Sequence, residues 1–243
     1  MRRRLLAIPA VLALAACRSG APPAAEKAIP ADATAAAVIE LAMLRAAPAY
    51  ATMPATLRAV TDPLSAAKQL ALAWNGKDLL LIATGDFAQP PAGYTSIGKG
   101  AAAAGAAERI EAARTALSTA SNLPAGFALP SSTAEIRAVF RGDGALPLAG
   151  NLANLAKLMR KADVTTLTAH LEQVMEVEIA SQCDSAVRAQ DLEQSLRAAV
   201  TLAASATRDP ALAGILKSVR IARESRIVRT YAVGAADTFT KFD

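Results

Sequence analysis

Residues able to do chemistry are scarce in this chain. His170 is the one histidine among 243 residues. Strand alternation sets it on the polar side of a hairpin, across from Glu176, with Thr168 beside Glu178. A His–Glu pair can poise a general base. No Gly-x-Ser-x-Gly elbow supplies a nucleophile for it, and the nearby threonines sit on a strand face rather than at a sharp turn. A solvated cross-strand pair is the simpler reading. One histidine and two cysteines, with no short ligand spacing, cannot build a zinc tetrad, and no Asp-rich calcium loop occurs. No metal and no cofactor is therefore expected. Gly98-Lys99-Gly100 and Gly105 lie between a strand and a helix, where a phosphate could sit, but they miss the spacing of both nucleotide-binding loops. A tight turn with close helix packing explains them better. The strongest charge pattern is Arg220, Arg223, Arg226 and Arg229, one every third residue. A hairpin about Glu224-Ser225 would set Arg220 against Arg229 and Arg223 against Arg226. Such a cluster suits phosphate, a carboxylate-bearing glycan, or acidic residues of a partner. The competing reading is a charged edge hairpin that resists aggregation.

The other reactive residue is Cys17. Arg2, Arg3 and Arg4 are followed by an apolar run from Leu5 to Ala16, far shorter than the ~20 residues that span a bilayer. Leu14-Ala15-Ala16-Cys17 resembles the lipobox of bacterial lipoproteins. The resemblance implies removal of residues 1–16, a diacylglycerol on the Cys17 thiol, and acylation of the new amino group. Several acyl chains anchor firmly, because each buried methylene contributes about 0.8 kcal/mol. Arg18 stands where an aspartate would imply retention at the inner membrane. The resemblance therefore implies the outer membrane, on its periplasmic face.

Removing residues 1–16 takes away three arginines and no acid, so 26 basic residues become 23 against 21 acidic ones. Near-neutral charge removes the case for a nucleic-acid partner. Cys183 is then the one remaining thiol, so no disulfide can form within the chain, and a half-buried inert thiol is expected. Residues 17–30, rich in Ala and Pro, read as a lipidated tether.

The elements that must position these groups follow from periodicity. A strand is expected over 36–44 and a helix over 49–60, with Pro54 in its first turn or kinking it. Leu70, Leu72 and Trp74 alternate up to Asn75-Gly76, and Leu79 and Leu81 alternate beyond it. That pattern is a hairpin closed by a type I′ turn. Ala71, Ala73, Leu80 and Ile82 make its opposite face apolar as well, so the pair is either covered on both sides or lies at a contact. A Gly/Ala stretch leads into a helix ending near Leu117. A loop covers 122–130 and a strand 134–141. Asn151 caps a helix to about Lys161. Residues 164–180 form a hairpin turning at Glu172-Gln173-Val174, with Leu171 facing Met175, Ala169 facing Val177 and Leu167 facing Ile179. Asp184 or Ser185 caps a long helix to Ala206, and Asp209-Pro210 opens a short one. Residues 219–233 make the last hairpin.

Strand, helix, hairpin, helix, strand thus recurs about a hundred residues apart. The fold class is α+β: antiparallel sheets with helices packed on them, in two halves over 31–130 and 131–243, each in the order of a ferredoxin-like βαββαβ unit. The chain resembles uncharacterised bacterial lipoproteins with a lipobox, an acidic Pro30-Ala31-Asp32 opening and tandem ferredoxin-like halves. That resemblance implies no activity. The functional expectation is a lipid-anchored envelope protein that binds another protein or itself without catalysis. Binding of an anionic glycan or lipid headgroup is the alternative, and hydrolysis through His170 is a third.

Overall fold

The computed structural model describes residues 24–52, 55–119, 123, 126–144, 157–172 and 174–235. The proposed leader, Cys17, Pro54, Asn122, the Asn151 cap and Gln173 lie outside them. The protein is α+β. In chain order, the sheet strands are β1 (Ala35–Glu40), β2 (Ala67–Trp74), β3 (Leu79–Gly85), β4 (Thr95–Gly98), β5 (Ala101–Ala104), β6 (Ile136–Arg141), β7 (Val164–Leu171), β8 (Val174–Gln182), β9 (Arg220–Glu224) and β10 (Ile227–Ala235). The helices with both ends described are α1 (Leu41–Ala46), α2 (Ala55–Thr61), α3 (Ala107–Thr119), α4 (Ala186–Ala206) and α5 (Pro210–Ser218), and residues 157–159 are helical too.

These strands form one sheet in the order β4-β5-β3-β2-β1-β6-β7-β8-β10-β9. All its pairings are antiparallel. The antiparallel sheet is as expected, but the ferredoxin-like order is corrected: in that split order two strands joined through a helix have a third strand between them. Here β1 pairs directly with β2, and β6 directly with β7. Between β1 and β2 the chain passes through α1 and α2 and returns beside its start. β1 pairs with β6 along Ala35–Ile39, which puts residues 31–130 and 131–243 in the same sheet.

Paired residues share a face, so the register sorts the side chains. The first face carries Val38, Ala71, Ile82 and Ala103. It is packed under α3 and under a 3₁₀ turn, Ala25–Ala28. Alanine dominates this layer, which lets helix and sheet backbones approach closely. The second face carries Leu70, Leu72 and Leu81. Leu41 and Leu44 of α1 and the buried Leu64 pack on it at one end. At the other end, Leu192 of α4 packs on Val228 of β10 and on the buried Cys183. Burial pushes the Cys183 thiol pKa up, which agrees with an inert thiol.

Several boundaries differ from expectation. β1 ends at Glu40 because Leu41 and Leu44, at helical spacing, both point into the core. The 49–60 helix is divided into a 3₁₀ turn, Pro48–Thr52, and α2. A proline between them cannot donate the N–H that a continuous helix needs. The β2–β3 hairpin pairs Ala73 with Leu80 and Trp74 with Leu79, keeping the expected faces. Its loop, however, spans residues 75–78: the Asn75 Oδ1 accepts from the Lys77 and Asp78 amides at 3.0 and 2.8 Å. Only Gly76 there needs a positive φ, so this is an Asx-type loop, not type I′. Gly98–Gly100 turn β4 into β5, and Gly105 links β5 to α3, which explains these glycines without a phosphate. Ser185, whose side chain accepts from the Arg188 amide at 3.2 Å, caps α4, and Asp209 caps α5.

The described part of the segment expected to be a tether is packed. Ala25 and Ala28 are fully buried and Ile29 nearly so. The Ala25 amide donates to Gln69 Oε1 at 2.8 Å. Gln69 donates in turn to Glu40, and Arg137 bonds the same carboxylate at 3.2 Å. At the far end of this strap, Asp32 pairs with Arg109 of α3, which is only 3% exposed. Arg109 holds the Asp32 carboxyl below its ordinary pKa. A segment expected to be a linker is a packed part of the first face.

Candidate binding groove

The first face is covered by α3 at the β3–β5 end, and the second face by α1 at that end and by α4 at the other. Among the described residues, no helix covers the first face over β7, β8 and β10. A groove of about 460 Å³ lies there, rimmed by Pro130, Ser131 and Ser132. Period-two alternation builds its floor. β7 supplies Thr166, Thr168 and His170, β8 supplies Glu176 and Glu178, and β10 supplies Arg229 and Tyr231. The β7–β8 register is the expected one: His170 faces Glu176, and Thr168 faces Glu178.

β10 completes the floor through ion pairing. Tyr231 lies opposite Glu178, and Arg229 lies opposite Ala180. Glu178 Oε1 accepts from Arg229 Nη1 at 2.8 Å and from the Tyr231 hydroxyl at 3.2 Å. The Glu178 bond comes first in raising the Arg229 pKa. Partial burial, reinforced by the Glu178 charge, raises that of Tyr231. Both groups therefore keep their protons at neutral pH and act as donors. His170 Nδ1 lies 3.7 Å from the buried Glu135, whose Oε2 is also bonded by the Leu171 amide at 3.2 Å. The floor is thus a patterned polar surface in which one carboxylate is committed to two internal donors, while Glu176 and Thr168 face outward.

The arginine pattern is not a cluster. The β9–β10 turn is Ser225-Arg226, with Ser225 at positive φ, so Glu224 pairs with Ile227. The turn lies one residue later than expected, so every partner on β10 lies two residues further along than expected. Arg223 lies opposite Val228, Arg229 opposite Ala222, and Arg220 opposite Tyr231. A two-residue slip keeps each side chain on its face but sets no arginine directly across from another, and strand alternation holds Arg223 and Arg229 on opposite faces. Arg223 bonds Glu193 of α4 at 3.0 Å on the second face, while Arg229 joins the groove on the first. Arg226 sits in the turn, 3.4 Å from the Asp184 carbonyl, and Arg220 is exposed. No group of three or more His, Cys, Asp and Glu able to hold a metal occurs among the described residues.

Sequence reasoning found His170, Glu176, Thr168 and Glu178 but missed Arg229 and Tyr231 as their neighbours. The signal was alternation in Ile227–Val233 with Val228 as the core residue. That reading puts Arg229 and Tyr231 together on the polar side.

A helix-flanked, ten-stranded antiparallel sheet, with a polar groove over β7, β8 and β10 that no helix covers among the described residues, defines the class of fold. The chain is similar in fold to solved structures of TP0453. Crystal form III gives a TM-score of 0.53 at 9% identity, covering 90% of this chain and 96% of that one. Crystal form I gives 0.51 at 10% identity, covering 90% and 95%. At that identity the likeness is one of fold alone. No family model and no curated protein matches the chain. No helix among the described residues is long and apolar enough to cross a membrane.

Proposed function

We propose that this chain is a lipid-anchored protein of the bacterial cell envelope that works by contact rather than catalysis. Acyl chains on Cys17 hold it at the periplasmic face of the outer membrane, and the groove receives a protein partner. The carrying observation is the junction between leader and fold. Among the described residues, packing is seen from Ala25, and seven residues, Arg18–Ala24, separate it from Cys17 in the sequence. Everything before Cys17 has the make-up of an export signal, and few residues of sequence follow it before the folded domain.

The groove favours contact over turnover. Its Arg229, Tyr231 and Glu178 satisfy one another, and the groups left facing out are a ladder of donors and acceptors on a rigid strand surface. Hydrolysis through His170 is a weaker proposal, because its nearest acid is a buried carboxylate at 3.7 Å that already accepts a backbone amide. Binding of an anionic glycan or headgroup by the arginine hairpin is weaker too, because Arg223 and Arg229 are spent on Glu193 and Glu178.

Two measurements test this reading. Cells fed a labelled fatty acid should incorporate it into the protein, and Cys17→Ser should abolish both label and membrane retention. A photo-crosslinker at Thr168 should trap a protein that one at Val187, exposed on α4, does not. An unlabelled product that fractionates away from membranes removes the anchor. Identical products from both probe positions remove the groove.

A further inference from the structure

Among the described residues the ten-stranded sheet does not close, and its two edges are β4 and β9. An edge strand offers unpaired amides and carbonyls to any second strand. Both edges carry the same device. On α4, Arg197 is held by Glu193 one turn earlier, with Nη2 2.8 Å from Oε1, and that Nη2 also donates to the Ile221 carbonyl of β9 at 2.6 Å. On α3, Arg114 is held by Glu111, and its Nη2 donates to the Ser96 carbonyl of β4 at 3.0 Å. The two helices lie on opposite faces of the sheet and at opposite ends of it. A glutamate one turn before an arginine, with the guanidinium on an edge carbonyl, thus occurs twice in unrelated surroundings.

We propose that Arg114 and Arg197 are edge stoppers, and that the partner they exclude is a second copy of this chain. β9 is the edge that needs one. β4 is short and its pairing slips between Ser96 and Gly98, which already makes it a poor template. β9 reads Arg-Ile-Ala-Arg-Glu. Antiparallel pairing of two copies about Ala222 would set Arg220 of each copy opposite Glu224 of the other. Opposite charges directly across a pair are favourable, so the strand matches itself. Glu224 pairs with Ile227 to close a two-residue turn, so Ile221 and Arg223 point their backbone groups away from β10. Arg197 occupies one of those carbonyls. Seating a second strand requires displacing it.

The test is sedimentation of the purified full chain over about a hundredfold range of concentration. The wild type should show no association through β9. Arg197→Ala should associate at least about tenfold more tightly. Arg114→Ala should do less. Adding Ala222→Lys to Arg197→Ala places like charges across the dimer centre and should restore the wild-type behaviour. If Arg197→Ala loses its native circular dichroism, Glu193→Gln takes its place, since it keeps the arginine and loosens its hold. Natively folded variants that stay monomeric overturn the proposal. So does association that Ala222→Lys leaves unchanged, or a wild type whose Ala222→Cys variant crosslinks to itself.

Discussion

Ile29→Ala separates a packed strap from a slack leash. Ile29 is 1% exposed, in the same cluster as Val38, Ala71 and Ile82. Truncation removes three carbons from a site walled by sheet and helix, which cannot collapse far. Isoleucine-to-alanine changes in such places cost about 2–5 kcal/mol, transfer and cavity terms together. A value near ~3 kcal/mol is expected, because much of the surrounding wall is alanine and has few atoms with which to refill the space. For a domain of this size each 1 kcal/mol moves Tm by about 2–4 °C, so the shift should be about 6–12 °C. The assay is thermal and urea unfolding followed by far-UV circular dichroism, with Ala31→Ser as control, since Ala31 is exposed. A shift no larger than the control's would mean that residues 25–30 are a tether after all, and that the first face has lost its cover.

Other outcomes rest on single contacts. A Cβ on Gly142 would lie 1.7 Å from the Ala162 carbonyl oxygen, so Gly142→Ala should cost about 3 kcal/mol by urea unfolding, as overpacking against backbone does. Thr165 and Ser181 share a buried hydrogen bond of 3.1 Å. Ser181→Ala should cost about 1–3 kcal/mol, and Thr165→Val with Ser181→Ala less than the two separate costs combined, in a double-mutant cycle. The Asp32 carboxyl has its folded pKa depressed, chiefly by the Arg109 hydrogen bond, so its contribution is full above the ordinary value of 3.8 and is lost as pH falls below it. Asp32→Asn should lower stability at neutral pH and flatten that part of the acid limb, and a curve parallel to the wild type's would contradict the linkage.

Legibility followed the contrast between faces. The β7–β8 register was readable because Leu167, Ala169 and Leu171 alternate with Thr166, Thr168 and His170, so only one pairing keeps the apolar set together. β9–β10 offered no such contrast. Ile221 and Ala222 are both apolar neighbours, as are Ile227 and Val228, and a three-residue arginine spacing matches no strand period. Strand order was less readable still, since a helix between two strands can return the chain beside its start or carry it across. The strap was concealed by composition. Ala25, Ala28 and Ile29 have the spacing of a buried helical face, yet alanine serves equally in linkers. The uncovered polar groove results from where the helices lie, which local patterns do not encode.

The early start of the fold sets a working radius. Seven residues reach about 25 Å when fully stretched, less than the width of an ordinary domain. With Cys17 seated in lipid as proposed, the molecule is moored like a boat on a short line rather than a kite on a long one. Whatever docks on it has to come to the bilayer surface, and a membrane-bound partner gains a high effective concentration without any extra contact.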